Sequence, residues 1–370
     1  MRLIWITHRN FHDFCATTPI AFANGLIELG FELTIINPES AGAHSNAEWE
    51  HIGLEANAVR GFQSRAFSKK VLAYFESMDL NYDAYMMDWQ VGVQVGKVLS
   101  KQNRPCFLMD RSPPADSGIL AKLQWKVWKN SWKLVKKGLF TSGFVVSNAH
   151  LRFVSQSLNI PGTNISVLEA GVAMSNDAAP RSHQDGEAWK FVYHGRLDKH
   201  RGILDFMDHI VAWNNVGIAC HLTLIGEGTA VSVIKKREAD NPDLFTLKGR
   251  MPHHEALEHL KEHHIGILPM PATKVWKLAS PLKRGEYLAS GLLVVGLDHE
   301  GHRFDNEVGP WMQLHKASIL RTKISSFLNS MSNEEFSEYS QSAIKYAHGH
   351  LSWSKSIELL ANSIRGEVNG

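Results

Sequence analysis

Residues 280–296 read SPLKRGEYLASGLLVVG. Ser280 is placed to cap a helix and Pro281 to open it, because proline's fixed φ and missing N–H suit a first turn. Helical spacing then runs to Gly291, a residue well suited to end a helix. LLVVGL, 292–297, is a short run of branched residues without alternation, the pattern of a strand buried on both faces of a parallel sheet. A helix handing over to such a strand is an α/β unit, and the unit recurs on both sides of this stretch.

Upstream, KFVYHG (190–195), HLTLIGEG (221–228), LFTLKGR (244–250) and IGILPM (265–270) read as strands, with helices over 204–214 and 253–262. The first half repeats the alternation. LIWIT (3–7), ELTIIN (32–37), DAYMMD (83–88), PCFLMD (105–110), GFVVSN (143–148) and ISVLEAG (165–171) are strands, and 19–30 is a helix. Between the halves, AMSNDAAPRSHQDGEAW (173–189) is polar, carries Pro and Gly and has no period, so it reads as a linker. The fold class is therefore α/β with two doubly wound, Rossmann-like domains facing across a cleft. The expected bounds are 1–175, a linker over 176–188, 189–349, and a last helix over 350–370 returning to the first domain. Ligands of such sheets lie beyond the carboxyl ends of the strands, so the cleft is the expected site.

Composition narrows the function classes. In 370 residues, 44% hydrophobic and 21% charged describe a globular protein, and a net charge of +2 gives no support for nucleic-acid binding. Cys15, Cys106 and Cys220 are too few and too scattered for a disulfide framework, which fits a reducing cytoplasm. No segment approaches the length of an apolar span, and the N-terminus lacks a cleavable leader pattern. The expectation is a cytoplasmic protein, with any membrane contact peripheral on the inner face.

Two local patterns carry chemistry. In YHGRLDKHRGI (193–203) a strand ends, a glycine turns, and Arg196, Lys199 and Arg201 follow. Guanidinium groups there suit phosphate oxygens, although a solvated loop has the same composition. At 280–286, free N–H groups of a first helical turn form an anion site beside Lys283. Glu286, one turn deeper, suits vicinal hydroxyls such as a ribose, or else forms a plain i, i+3 pair with Lys283.

Taken in order over 187–300, GRLDKHRG, LTLIGEG, FTLKGRM and SPLKRGEYLASGLLVVG resemble the donor domain of GT-B glycosyltransferases, in particular the retaining family 4 (glycosyltransferase group 1). VLEAGV (167–172) and FVVSNAHLRFV (144–154) resemble that family's elements before the linker. The resemblance implies a glycosyltransferase of the hexosyltransferase type using a UDP- or GDP-linked sugar, with no cofactor or essential metal. It implies a glycan or lipid-linked acceptor and no nucleic acid partner. Arg196 and Arg201 would bind the donor diphosphate and stabilise it as it leaves. Ser280, Leu282 and Lys283 would cradle the phosphates, Glu286 would hold the ribose, and Gly226, Arg250 and Met251 would lie near the base. A nucleotide-sugar epimerase of the same fold and a degenerate nucleotide-sugar-binding protein are the alternatives.

The chain departs from the family pattern in three places. Arg201 stands where lysine is usual, and Leu278 where an acid is frequent. The loop after the first strand, THRNFHDFCATT (7–18), lacks the family's paired glycines. His8, Arg9, His12 and Asp13 there would meet an anionic acceptor or else form an exposed polar loop, and Arg111 and Ser112 of LMDRSPP (108–114) would face the cleft on the acceptor side. Asp110, at that strand's end, is the expected polar catalytic residue ahead of Asp88. The histidine-rich HHEALEHLKEHH (253–264) reads as a solvated helix, because its histidines scatter around the axis and form no ligand set.

KLQWKVWKNSWKLVKK (122–137) remains. On a helix, Lys122, Lys126, Lys129, Lys133, Lys136 and Lys137 share one arc, with Leu120, Leu123, Val127 and Leu134 opposite. Trp125, Trp128 and Trp132 fall between the two. An all-cationic face bordered by tryptophans suits an anionic membrane surface, with the indoles expected at headgroup level, or else is a basic solvated face that attracts an anionic glycan.

Overall fold

The computed structural model describes every residue except 13–15, 60, 79, 115–117, 174–177 and 370. Asp13 and Cys15, and the expected start of the linker at 176, lie outside the described residues. The chain forms two compact units, one of Met1–Ala170 with Trp353–Gly370, the other of Gly171–Ser352.

In chain order the first unit holds β1 (Arg2–Ile6), α1 (Thr17–Glu28), β2 (Glu32–Asn37), β3 (Glu50–Gly53), α2 (Gln63–Glu76), β4 (Ala84–Asp88) and α3 (Trp89–Leu99). It continues with β5 (Cys106–Met109), α4 (Ile119–Lys136), β6 (Ser142–Val145), α5 (Asn148–Leu158) and β7 (Ile165–Val167). Its seven strands are parallel in the order β3-β2-β1-β4-β5-β6-β7. Strand residues alternate between two apolar layers. Ile4, Ile6, Tyr85 and Met87 pack under α2, α3 and α4, with Phe67, Val95 and Trp132. Leu3, Trp5, Ala84 and Met86 pack on the other face with Phe22 and Leu26 of α1.

The second unit holds β8 (Trp189–His194), α6 (Ile203–Asn215), β9 (Cys220–Ile225), α7 (Val231–Asp240), β10 (Phe245–Lys248), α8 (His253–Leu260) and β11 (Ile265–Leu268). It continues with α9 (Lys274–Leu278), α10 (Leu282–Ala289), β12 (Leu293–Leu297), β13 (Met312–His315), α11 (Ala317–Ser330) and α12 (Asn333–His350). Its sheet, also parallel, runs β10-β9-β8-β11-β12-β13. Around one core, Phe191 of β8 stacks on Trp213 of α6 at 5.5 Å. Fully burying one such aliphatic or aromatic side chain is worth about 1.5–3 kcal/mol.

The last helix, α13 (Trp353–Asn369), belongs to the first unit. Ile357, Leu360 and Ile364 enter the α1 layer, and a Cβ on Gly25 would lie 2.4 Å from the Ile357 side chain, so a glycine is needed there. Two strands escape the sequence pattern, β3 (EHIG) and β13 (MQLH). Both are short, half-polar edge strands, and an edge needs no two-sided apolar run. The described part of the polar stretch before β8 is pinned rather than loose. The Arg181 guanidinium donates to the carbonyls of Ser290 (3.0 Å) and Lys261 (3.1 Å), and His183 stacks on Trp189 at 3.8 Å.

Candidate functional site

In each sheet the strand order reverses beside the first strand, β1 next to β4 and β8 next to β11. The crevice at such a switch point is where doubly wound folds bind ligands.

At the β8 edge, Gly195 makes the turn with φ +113°. A Cβ there would sit 2.8 Å from Lys283 Nζ, so only glycine both adopts this backbone and lets the lysine cross it. Lys283 rises from the first turn of α10 and holds its ammonium 5.3 Å from the Tyr193 ring centre. Arg196 meets both Asp198 oxygens at 3.3 Å, while Arg201 Nε lies 3.6 Å from Asp198 and its guanidinium 4.8 Å from the Trp276 ring. Burial alone would raise the Asp198 carboxyl. The Thr229 N–H and the two arginines outweigh burial and keep it low, so it stays an anion that orients both guanidinium groups. Lys283 thus lies over the glycine turn beside a helix N-terminus, and two guanidinium groups share Asp198 in the loop that follows, a set of cations that can hold a diphosphate.

Glu286 of α10 is buried with an imidazole against each oxygen. His253 Nε2, at the start of α8, is 2.7 Å from Oε1, and His194 Nε2, at the end of β8, is 3.1 Å from Oε2. Burial opposes the Glu286 charge, yet the two histidines win and hold its carboxyl far below the usual range. An ionised carboxylate only accepts, so His253 Nε2 carries the proton in that bond. Hydrogen bonding to Glu286 raises the His253 pKa, while burial lowers that of His194 despite Glu286. Neither histidine was singled out from sequence. His194 directly precedes the Gly-Arg turn, and that adjacency was the available signal.

The remaining expected donor-side residues divide. Arg250 Nη1 lies 3.5 Å from Glu227, which also faces Arg196 Nη1 at 3.8 Å, so Arg250 joins the same charged edge. Gly226 (φ +138°) brings the β9 turn against Gly195, where a Cβ would meet the Gly195 carbonyl. Met251 is half-buried against the core. Leu282 opens α10. Ser280 corrects the sequence reading. The helix cap is Pro281, and the Ser280 hydroxyl accepts from Arg284 Nη2 at 3.0 Å, so Ser280 secures a buried arginine instead of capping. Leu278 is buried, which explains an apolar residue there.

The β1/β4 edge is built otherwise. Asp88 takes hydrogen bonds from Thr7 Oγ1 (2.6 Å) and Trp5 Nε1 (3.3 Å), and burial raises its carboxyl despite these and Arg9. Arg9 donates to Ser112 Oγ at 3.1 Å. The Arg111 guanidinium donates to the Leu168 carbonyl and sits 5.3 Å from the Phe22 ring. His8 is half-buried beside Phe67. Asp110 is fully buried, contrary to the sequence expectation of a catalytic group open to substrate. Its Oδ2 accepts from the indoles of Trp128 (2.5 Å) and Trp132 (2.8 Å) and faces His150 Nε2 at 3.2 Å. His12, expected on an acceptor, points its Nδ1 at the buried Glu39 instead, 2.6 Å away.

Those two indoles also correct the reading of α4. Trp128 and Trp132 face the core, and Trp125 is half-buried against Phe153, so no indole stands at a headgroup level. A buried indole needs an acceptor, and Asp110 supplies one beneath this helix. The residues left outside are Ile119, Leu120, Leu123 and Val127, beside the exposed Lys122, Lys126, Lys129, Lys133 and Lys136. Leu120 touches Gly61, next to the exposed Val59 and Phe62. Among the described residues, no helix is long and apolar enough to cross a membrane.

Two parallel Rossmann-like sheets with this strand order are the GT-B fold. Among solved structures the chain is similar to sucrose-phosphate synthase from Thermosynechococcus elongatus, with a TM-score of 0.76 and 14% identity over 99% of both chains. It is similar to Anabaena HepE in complex with UDP (TM-score 0.72, 11% identity, 99% of this chain and 100% of that one). It is also similar to WaaG, a glycosyltransferase involved in lipopolysaccharide biosynthesis (0.71, 9%, 99% and 100%). No family model matches the sequence, and no curated protein matches it.

Proposed function

We propose that the chain is a glycosyltransferase that moves a sugar from a nucleoside diphosphate to an acceptor hydroxyl with retention. The observation that carries this reading is Lys283 lying over Gly195 while Arg196 and Arg201 share Asp198 in the loop that follows, with the buried Glu286 on the same α10 as Lys283. The diphosphate lies across the glycine turn, and its charge grows as the sugar departs. Fixed cations and helix N–H groups then stabilise the leaving group, an effect of about 10²–10³ in rate per preorganised donor. Glu286 accepts the ribose hydroxyls after exchanging His253, which is partly exposed, for a hydroxyl donor. Gly226, Arg250 and Met251 border the base. With Asp110 sequestered, the departing phosphate oxygen is the base that takes the acceptor proton. These cations supply the charge needed at the leaving group, so donor turnover persists in chelator. HepE was solved with UDP, which favours a uridine donor.

Arg9, Arg111 and Ser112 mark the acceptor side, and the acceptor is a lipid-linked or surface glycan. The exposed Ile119, Leu123 and Val127 beside five lysines suit insertion at an anionic bilayer, with aliphatic side chains in the role first given to the tryptophans. Charge reversal of Lys126, Lys129 and Lys133 to Glu abolishes binding to phosphatidylglycerol vesicles on this account. Wild-type protein that never sediments with such vesicles contradicts it.

A degenerate binding protein is the second reading, favoured by the buried Leu278 and by Glu286 with an imidazole against each oxygen. Turnover of a panel of UDP- and GDP-sugars separates the two. Release of nucleoside diphosphate from one of them supports the transferase, and binding without release under any acceptor supports the binding protein.

A further inference from the structure

At the C-terminal edge of the first sheet, the loops after β1 and β2 bring two imidazoles to one carboxylate. Glu39 follows β2 and is buried. Its Oε1 lies 3.0 Å from the Phe11 N–H, 3.2 Å from the His12 N–H and 2.6 Å from His12 Nδ1. Its Oε2 lies 2.5 Å from Asn37 Nδ2 and 2.6 Å from His44 Nε2. The carboxylate thus meets five nitrogens, whereas it has about four lone-pair sites, two on each oxygen. Oε1 alone faces three.

The imidazoles are also arranged as a set. His12 and His44 stack with ring centres 4.9 Å apart, and His51 of β3 stands edge-on to His44 at 4.8 Å. His51 Nε2 is 2.9 Å from Asn37 Oδ1, and its buried Nδ1 has no hydrogen-bond partner. One ligand atom each from His12, Glu39 and His44 falls within 4.8 Å of the others, and among the described residues no other trio of His, Cys, Asp or Glu does so.

We infer that His12 Nδ1, Glu39 and His44 Nε2 form a binding site for one divalent transition ion of the zinc type. Two imidazoles and one carboxylate are a common zinc set, and imidazole disfavours Mg²⁺ and Ca²⁺. A tetrahedral ion at about 2.0–2.1 Å from each donor asks for donors roughly 3.3 Å apart, and shifts of the largely exposed His12 ring open the present spacing. That exposure leaves the fourth position to water. The carboxylate at the centre argues against an anionic acceptor group at this spot. The ion ties the loop after β1 to the loop after β2, which makes it a fastening for the acceptor-side edge and independent of the donor site.

The test uses full-length, chelator-dialysed protein titrated with Zn²⁺ by calorimetry and followed by thermal melting, with Co²⁺ as the visible-absorption probe. One Zn²⁺ per chain, a raised Tm and a tetrahedral Co²⁺ spectrum are expected. Loss of a direct ligand costs at least the tenfold or so that loss of a ligand's outer partner costs, so His12→Ala, His44→Ala and Glu39→Gln each weaken Zn²⁺ by about tenfold or more. His12→Ala alters a largely exposed side chain and guards against a folding defect in the buried variants. His259→Ala, in the histidine-rich α8, leaves the affinity unchanged. No stoichiometric Zn²⁺ binding, or equal affinity in His12→Ala and wild type, overturns the assignment.

Discussion

The carboxyl ends of the two sheets share one switch-point topology, yet Glu286 beside β8/β11 and Asp110 at the end of β5 are held by different means. Glu286 is gripped by two imidazoles, one of them partly exposed, on the helix whose Lys283 lies over a glycine turn. Asp110 is gripped by two buried indoles that neither titrate nor move aside. The first arrangement can exchange a partner for a ligand. The second is a fixture of the core that happens to lie at a strand end. A buried carboxylate near the carboxyl ends of the strands therefore does not by itself mark a binding group, and exposure of the partner distinguishes the two.

The largest effect that separates the edges is on ligand affinity. Hydrogen bonds to charged groups are worth about 1.5–3 kcal/mol each, so Arg196→Ala with Arg201→Ala lowers nucleoside diphosphate affinity by about 100-fold or more. Calorimetry on the folded double variant checks this, and affinity within a fewfold of wild type breaks the comparison. Next comes stability. Asp110→Ala strands two indole N–H groups and costs about 2–4 kcal/mol in urea unfolding, with nucleotide affinity unchanged. Lost turnover at full stability would return Asp110 to catalysis.

The smallest effect is a pH dependence. The folded pKa of His253 is raised by Glu286, so its contribution to stability is full below 6.5, the free value, and is lost as pH rises through the raised one. The Tm gap between wild type and His253→Ala narrows as pH increases above 6.5. A gap that widens over that range contradicts the pairing.

Where the sequence was readable, the signal was local. Gly195, Arg196, Arg201, Lys283 and Glu286 lie in two short motifs whose backbone geometry follows from glycine, proline and strand runs. Partners brought by long-range packing were not readable. His253 reaches Glu286 from 33 positions away, and Glu39 collects His12 and His44 from separate loops. Helical angles placed the α4 lysines on one arc, yet periodicity does not say which apolar arc faces the core. The acceptor for Trp128 and Trp132 settles that, and it lies on β5's end.

The central claim is the location of the diphosphate. A crystal structure with UDP or GDP tests it most directly. The account predicts phosphate oxygens within hydrogen-bond distance of Arg201 and Lys283 over Gly195, with a ribose hydroxyl on Glu286 and His253 displaced from it. A nucleotide bound elsewhere, or phosphates at that turn with Arg196, Arg201 and Lys283 all turned away, contradicts it.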